Sequence, residues 1–363
     1  MGKITVVSAV NIVDGGALTV LQDAIRAFDS NVKVGDSVIF LVASPVVHAF
    51  LDVQNIKFLY FQKSKKNWLF RVFYEYVYFY FLSLKIRPDV WFSLHDITPT
   101  VNASKRFVYC HNPSIFLKFP ISSIPLDPKQ FLFSKFYKYL YKINIKKNSS
   151  VITQQAWMAD EFSRIFKIKN VLVAEPDVNV DKSPIDSKQY LPGSGKDFTL
   201  FYPAYPRYFK NHSIIFKAQP LVSQASFWLT ITGSENKYSR SLVERHPLIN
   251  IKLLGLLPRS RVFELYQECD ALIFPSLLET WGLPLTEFKV FNKPIVAADL
   301  PYAHETIGLY EHIYWFDPES PESLAAAIER AKENISPDLP KTKPCMHKKT
   351  YGWEQLAIYI MGS

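Results

Sequence analysis

The feature that most constrains the fold is a repeated alternation between short apolar runs and longer segments with helical periodicity. Such runs, alternating with helices, form parallel βαβ units in which each helix returns the chain to begin the next strand. The pattern therefore predicts an α/β protein with two Rossmann-like parallel sheets. Strands are expected at residues 4–10, 37–42, 89–93, 107–110 and 150–153 in the first series and at residues 198–202, 227–232, 249–254, 271–274 and 294–298 in the second.

A polar segment separates the two series. Residues 181–197 are rich in Pro, Gly, Ser and charged side chains, which is typical of a linker between domains. A chain of 363 residues is long enough for two domains. We therefore predict an N-terminal domain at residues 1–180 and a C-terminal domain at residues 181–350. The apolar tail predicts a helix at about residues 351–363, which is expected to pack back on the N-terminal domain.

Composition and charge limit the classes of protein. Apolar residues make up 48% of the chain, which excludes a largely disordered protein. The three cysteines match neither a disulfide framework nor a metal site, and no apolar stretch is long enough to span a membrane. Met1 is soon followed by a strand-like run rather than a signal peptide, so a cytoplasmic protein is expected.

The net charge of +9 lies entirely in the N-terminal half of the chain. Residues 1–190 contain 24 Lys and Arg against 15 Asp and Glu, whereas positive and negative residues are equal in number after residue 190. A positive field confined to one half indicates an anionic partner, either nucleic acid or the inner face of a membrane.

The segment from residue 270 to residue 300 has the strongest indications of a binding site. A predicted strand ends near Ser276, Gly282 permits close backbone approach, and Pro284 suits the first turn of a helix that contains Glu287. Helix starts at the carboxyl ends of parallel strands favour phosphate. Because carboxylates repel phosphates, Glu279 and Glu287 are better suited to accept hydrogen bonds from sugar hydroxyls. The alternative is that Glu287 is a solvated helix residue and Glu279 an ordinary loop residue.

The same segment resembles a known family. The stretch Glu279-Thr-Trp-Gly-Leu-Pro-Leu-Thr-Glu287 is similar to the E-x7-E motif of family 4 retaining glycosyltransferases with the GT-B fold, which include many bacterial polysaccharide and lipopolysaccharide enzymes. The strands on either side also resemble those of the family. Upstream, the pair Gly15-Gly16 resembles the family's first glycine turn, and residues 207–212 resemble its basic segment.

The resemblance implies a role for each matching residue. Glu287 would bind the ribose of a nucleotide-sugar donor, and Glu279 would bind the transferred sugar. Lys210 would neutralise the diphosphate. Arg207 would assist it, although the family commonly places its Arg and Lys about five residues apart rather than three. His111 would approach the reaction centre, with His95 as the alternative. The remaining residues implied to bind the donor are Gly15, Gly16, Gly282 and Leu283.

The resemblance also implies a mechanism. The family reaction proceeds with retention, and the leaving phosphate itself takes the proton of the acceptor. Metal-dependent nucleotide-sugar enzymes use a D-x-D motif, and none occurs in the sequence, so metal-free catalysis without a cofactor is expected. The donor substrate would be a nucleotide-diphosphate sugar whose base and sugar remain open.

Two basic, ring-rich clusters indicate a membrane surface. Residues 129–147 contain six lysines and no acid, and a second cluster of this kind spans residues 63–84. A basic aromatic helix is typical of an element that lies at the membrane interface. The alternative is that the rings form ordinary core, while nucleic acid fits such densely apolar rings less well. The residues expected to face the membrane or acceptor are Lys135, Lys138, Lys142, Lys146 and Tyr137.

Together these features predict a glycosyltransferase that extends a surface polysaccharide or O-antigen unit on a lipid carrier at the inner face of the cytoplasmic membrane. The main alternative is a catalytically silent, membrane-associated protein of the same fold that binds sugar nucleotides. A nicotinamide-dependent oxidoreductase would require a G-x-G-x-x-G turn, which Gly15-Gly16-Ala17-Leu18 does not supply.

Overall fold

The computed structural model describes residues 2–12, 15–45, 51–65, 68–177 and 196–363. The chain divides into two compact units. The first unit comprises Met1–Asn112, Phe136–Asp177 and Cys345–Ser363, and the second comprises Pro113–Lys135 and Val178–Pro344. This division differs from the predicted boundaries because residues 113–135 belong to the second unit and residues 345–350 to the first. The predicted linker lies almost wholly outside the described residues.

The strands are β1 (Ile4–Ala9), β2 (Ser37–Val42), β3 (Ile56–Tyr60), β4 (Val90–Ser93), β5 (Lys105–Tyr109), β6 (Ser150–Thr153), β7 (Val171–Glu175), β8 (Phe198–Tyr202), β9 (Ala225–Leu229), β10 (Ile251–Leu253), β11 (Ala271–Phe274), β12 (Ile295–Ala298), β13 (Ile313–Phe316) and β14 (Lys348–Tyr351). The α-helices are α1 (Gly15–Ser30), α2 (Trp68–Phe73), α3 (Phe79–Ile86), α4 (Pro128–Lys142), α5 (Ala156–Phe166), α6 (His212–Ala218), α7 (Lys237–Arg245), α8 (Arg259–Glu268), α9 (Leu283–Phe288), α10 (Pro301–Ile307), α11 (Pro321–Lys332) and α12 (Gly352–Gly362).

The first unit is built on an eight-stranded parallel sheet. Its strand order is β14-β7-β6-β5-β4-β1-β2-β3. Side chains alternate between the two faces of β1: Val7 and Ala9 lie in a core with α1 and α12, whereas Val6 and Val10 pack with α3. The apolar tail therefore forms α12 and covers one face of this sheet. A π-helical turn at Tyr74–Tyr78 joins α2 to α3 on the other face.

The second unit is built on a six-stranded parallel sheet with the order β10-β9-β8-β11-β12-β13. In both sheets the order reverses beside the first strand of the unit, between β1 and β4 and between β8 and β11. Open parallel sheets bind ligands at the carboxyl ends of the strands that flank such a reversal. The predicted fold class, two Rossmann-like parallel-sheet domains, is confirmed.

Within the described ranges, no helix combines the length and apolar character needed to cross a membrane.

Candidate functional site

The loops after β8 and β11 form the centre of the candidate site in the second unit. These strands are neighbours in the sheet, so both loops leave its carboxyl edge side by side. The backbone N–H of Leu277 donates to the Phe209 carbonyl at 2.7 Å, and the Tyr202 hydroxyl donates to the Lys210 carbonyl at 2.9 Å. These two bonds hold Lys210, at the end of a short 3-10 turn, beside the loop that carries Glu279.

Lys210 and Glu279 form an ion pair. The lysine Nζ lies 2.5 Å from Oε1 of Glu279, and the two side chains are 21% and 13% exposed. Such partial burial strengthens the attraction relative to a fully solvated pair while leaving both groups open to a ligand. The structure thus brings together the two residues that were predicted to bind the diphosphate and the transferred sugar.

Glu287 lies inside α9 and is buried rather than solvated. Its Oε1 accepts a hydrogen bond from Arg259 at 2.8 Å, and its Oε2 accepts one from the Tyr266 hydroxyl at 3.2 Å. Burial raises the pKa of Glu287, an effect that Arg259 and then Tyr266 oppose. The solvated-helix alternative for this residue is therefore wrong.

Gly282 permits the tight turn between the two carboxylates. Its φ of 83° lies in the left-handed region, where side chains are strained. A Cβ at this position would come within 3.3 Å of Leu285 and 3.4 Å of Phe274. The next residue, Leu283, begins α9 and is exposed. This close turn sets the path of the backbone from Glu279 into the helix of Glu287.

Arg207 is not joined to the Lys210 pair. Its Nη1 lies 3.6 Å from Oδ2 of Asp127, and its guanidinium lies 5.7 Å from the centre of the Tyr205 ring. It is half-exposed, so it retains freedom to turn toward an anion. The predicted assistance of Lys210 by Arg207 stays a prediction.

In the first unit, His95 is fully engaged in the protein interior. Its Nδ1 lies 3.0 Å from the Ser8 carbonyl, and its Nε2 contacts the buried carboxylate of Glu75. Arg71 donates to the backbone carbonyl of His95 at 3.2 Å. These contacts leave His95 with a structural position at the reversal between β1 and β4.

His111 is the more accessible of the two candidate histidines, with a side chain that is 20% exposed. Its backbone N–H donates to Oδ1 of Asp96 at 2.7 Å, and its ring Nε2 lies 3.7 Å from Oδ2. Asp96 also accepts from the hydroxyls of Tyr141 at 2.9 Å and Tyr137 at 3.3 Å, and its φ of 70° places it in the left-handed region. Asp96 therefore holds the loop and ring of His111.

Two predictions about the basic helix need correction. Tyr137 is only 4% exposed and is bonded to Asp96, so it belongs to the interior of the first unit and not to a membrane-facing surface. Lys146 lies beyond the end of α4, in a 3-10 turn at Ile145–Lys147, because Asn144 adopts a left-handed conformation that interrupts the helix. The predicted lysines are nevertheless all exposed; they are Lys135, Lys138, Lys142 and Lys146.

The glycine turn of the first unit is described only in part. Helix α1 begins at Gly15, and Gly16 lies in its first turn. Asp14, which precedes them, lies outside the described residues. The donor-binding role of these two glycines stays a prediction.

Sequence reasoning missed the residues that hold the site together. Arg259 and Tyr266 are seven positions apart on α8, a spacing that places both on the helix face toward Glu287. Asp96 directly follows His95 at the end of β4, and Glu75 is an acid within an otherwise ring-rich run. The available signals were helical spacing and isolated acids in apolar surroundings. Across the described part of the chain, no three His, Cys, Asp or Glu side chains are placed to hold a metal ion.

Comparison with solved structures identifies the fold. A glycosyltransferase from Rickettsia africae superposes with a TM-score of 0.63 over 99% of this chain and 93% of that one, at 17% identity. The neighbours of this fold are GT-B glycosyltransferases, so the molecule has the GT-B fold.

Comparison of sequences then narrows the class. Residues 182–342 match the family described as "Glycosyl transferases group 1", so this part of the chain carries the pattern of that family. The O-antigen chain mannosyltransferase RfbU of Salmonella typhimurium is 21% identical over 267 residues, covering 71% of this chain and 70% of that protein. The serotype-specific mannosyltransferase WbdA of Escherichia coli is 36% identical over 124 residues, which is 31% of this chain and only 15% of that protein.

Proposed function

We propose that this protein is a retaining, metal-independent glycosyltransferase that moves a sugar from a nucleotide-diphosphate donor to a lipid-linked saccharide. The observation that carries the proposal is the Lys210–Glu279 ion pair at the strand-order reversal of the second unit, followed in the chain by the helix of the buried Glu287. A cation and two carboxylates at one carboxyl edge suit a ligand that is anionic at one end and rich in hydroxyls at the other.

The ion pair suits the donor because both of its members can change partners together. Lys210 turns toward the diphosphate, where negative charge grows as the sugar–phosphate bond breaks. Glu279 then accepts hydrogen bonds from the hydroxyls of the transferred sugar. Because each group replaces one polar partner with another, neither is left unsatisfied in a partly buried site. In the free protein, the ion pair thus keeps both side chains at the site until the ligand replaces each partner.

In this proposal, Glu287 binds the ribose of the donor. Its carboxylate already accepts from Arg259 and Tyr266, and each of its oxygens has capacity for a further bond. Because Arg259 is largely exposed, it can move aside into solvent and does not become a buried charge without a partner. A ribose with two adjacent hydroxyls fits such a carboxylate.

His111 and the leaving phosphate complete the proposed reaction. The oxygen of the acceptor hydroxyl forms a bond to the anomeric carbon on the face from which the phosphate oxygen departs, and its proton passes to that phosphate oxygen. His111, positioned by Asp96, contributes a hydrogen bond to the donor sugar. The products are the lengthened saccharide, with unchanged anomeric configuration, and a nucleoside diphosphate.

The names of the relatives indicate the sugar and the pathway. RfbU and WbdA are both named mannosyltransferases, and RfbU is named for the O-antigen chain. Mannose is therefore the first sugar to test, and a growing O-antigen unit on a lipid carrier is the first acceptor. Exposed lysines on α4 beside exposed rings support peripheral attachment to an anionic inner membrane surface.

The donor is identified by thermal stabilisation with a panel of nucleotide sugars. A ligand at about 100 times its dissociation constant stabilises the folded state by about 2.7 kcal/mol. We expect one nucleotide sugar to raise the unfolding temperature more than its free nucleotide does. Stabilisation without transfer to a lipid-linked acceptor would favour the catalytically silent alternative.

Replacement of Glu279 tests the central residue. Glu279→Gln removes the charge that pairs with Lys210, and we expect the transfer rate to fall by about 10²–10³-fold. Glu264→Gln is the matched control, because Glu264 is an exposed partner of Arg261 on α8. Product analysis by NMR of the anomeric proton should show retention. An inverted product, or an unchanged rate in Glu279→Gln, would contradict the proposal.

A further inference from the structure

A second polar cavity lies in the first unit, at the opposite edge of the sheet from His111. It measures about 530 Å³. Arg106 stands at the beginning of β5, and Lys147 lies just before β6, so the cavity opens at the amino edge of these parallel strands. Its lining residues are Tyr80, Thr100, Val101, Asn102, Arg106 and Lys147.

The two basic, ring-rich clusters of the sequence meet at this cavity. Tyr80 comes from the cluster at residues 63–84, and Lys147 comes from the cluster at residues 129–147. Side-chain hydrogen bonds fix the segment between them. The side-chain amide of Asn144 donates to the Thr100 hydroxyl at 3.1 Å, and the backbone N–H of Asn102 donates to the Ser83 hydroxyl at 2.8 Å. The walls are therefore held by bonds from both clusters.

The charge of the cavity is positive and uncompensated. Within the ranges that the structure describes, neither Arg106 nor Lys147 makes an ion pair, and none of the lining residues is acidic. Lys105 and Lys146, which adjoin them in sequence, are also exposed. A guanidinium and an ammonium beside hydroxyl and amide groups form a suitable donor set for a phosphate group.

The surroundings of the cavity are apolar and exposed. Helices α3 and α4 each follow a strand that ends at the carboxyl edge and precede one that begins at the amino edge, so both run toward the cavity. Monomeric soluble proteins rarely expose so many large apolar side chains together. The exposed side chains nearest the cavity in sequence are Val77, Phe81 and Leu84 on the α3 side and Phe136, Tyr139 and Ile143 on the α4 side.

We propose that this cavity binds the headgroup phosphate of an anionic phospholipid, with the exposed rings of α3 and α4 entering the membrane interface around it. The inference rests on the membrane attachment that forms part of the proposed function, and it adds a specific lipid site. A free phosphate would need only the cations, whereas the apolar rim fits a phosphate that is attached to acyl chains.

Vesicle sedimentation tests this site without donor or acceptor. The probe is vesicles of equal parts phosphatidylglycerol and phosphatidylcholine. The variant Arg106→Gln/Lys147→Gln removes both cations of the cavity, and we expect its partition coefficient to fall by about 10- to 30-fold. The matched control is Lys33→Gln/Lys169→Gln, which removes two exposed lysines of the same unit outside the cavity. Equal losses in the two variants would show diffuse attraction and would overturn the site.

A second variant tests the cavity without removing a cation. Asn102→Asp adds a carboxylate to its wall, and repulsion of a phosphate should weaken vesicle binding several-fold. Unchanged binding would contradict the proposal. Inorganic phosphate at constant ionic strength should not displace the vesicles, since displacement would identify a free-phosphate site. Displacement of the vesicles by a short RNA would identify a nucleic-acid site and would likewise overturn the lipid assignment.

The outcome for this site is separable from the outcome for catalysis. Transfer to a water-soluble acceptor should be unchanged in Arg106→Gln/Lys147→Gln, because neither residue lies at the carboxyl edge. Absence of transfer with normal vesicle binding would overturn the proposed enzyme and leave the lipid site standing. Normal transfer with equal vesicle binding in all variants would overturn the lipid site and leave the proposed enzyme standing.

Discussion

The carboxyl edges of the two sheets differ in how their charged groups are paired. In the first unit, most charged groups at this edge are buried and contact one another, as His95 contacts Glu75. In the second unit, Glu279 and Glu287 each pair with a cation that remains partly exposed, Lys210 or Arg259. The first edge is therefore a fixed frame, whereas the second holds pairs that a ligand can separate.

This difference indicates which task each edge is suited to in the proposed reaction. A fixed frame is suited to present one accessible group in a constant position, and Asp96 does this for His111. Exchangeable pairs are suited to bind a substrate that carries both negative charge and hydroxyls. The comparison predicts that substitutions in the second edge act mainly on the donor, whereas those in the first act on the position of His111.

The largest effect is expected at Lys210. Lys210→Gln keeps a hydrogen-bond donor for Glu279 but removes the charge that is proposed to face the diphosphate, so donor turnover should fall by about 10²–10³-fold. Steady-state kinetics with the identified nucleotide sugar measures this loss. Lys217→Gln, which changes an exposed lysine on α6, is the control. A loss of less than about threefold, within the scatter of a surface substitution, would show that the pair is merely structural.

A smaller effect is expected at Asp96. Asp96→Asn retains one oxygen for the backbone N–H of His111 but places an amide group near the ring, and the resulting displacement should lower kcat by up to about 10²-fold. The KM for the donor should change little, because Asp96 lies in the other unit.

A double-mutant cycle distinguishes positioning from general destabilisation. If Asp96 acts through His111, the combined variant Asp96→Asn/His111→Ala should be little slower than His111→Ala alone. Additive losses would contradict the positioning role. The unfolding temperature of each variant, measured in parallel, reports any separate loss of stability.

The sequence alone predicted four strands to the residue but did not predict β3, β7 or β13. The strands β2, β6, β8 and β11 have the predicted bounds. By contrast, β14 has the sequence Lys-Lys-Thr-Tyr, with no apolar run, and it forms because the edge of β7 supplies hydrogen-bonding partners. Such a strand depends on tertiary pairing, which a local pattern does not contain.

The same limit applies to the candidate site. The predicted acids were found by motif, but their partners are distant in sequence: Arg259 is 28 residues from Glu287. Helical spacing predicted α4 but extended it to Lys146, beyond its end at Lys142, and rings occur on several faces of the helix. Spacing therefore did not show that Tyr137 points inward, which its burial and its bond to Asp96 establish.

The smallest effect, on stability, is expected at Glu287, where a charge favours the proposed binding of the donor but disfavours folding. Because burial raises its pKa above the ordinary value of 4.5, the native state retains this proton more readily than the unfolded state does. The contribution of Glu287 to stability therefore falls as pH rises from about 4.5 through the folded pKa, and above that pKa the full cost of burying the charge remains.

Glu287→Gln removes that charge, and the Tyr266 hydroxyl can still donate to the amide oxygen. We expect the variant to be more stable than the native protein by about 1 kcal/mol at pH 8 and equally stable at pH 4. Urea unfolding at the two pH values measures this, with Glu264→Gln as the exposed control. Donor affinity should fall in the same variant, because an amide is a weaker acceptor for ribose hydroxyls than a carboxylate. A variant that is both less stable and normal in donor binding would make Glu287 a structural residue, and the contrast between the two edges would then rest on Lys210 and Glu279 alone.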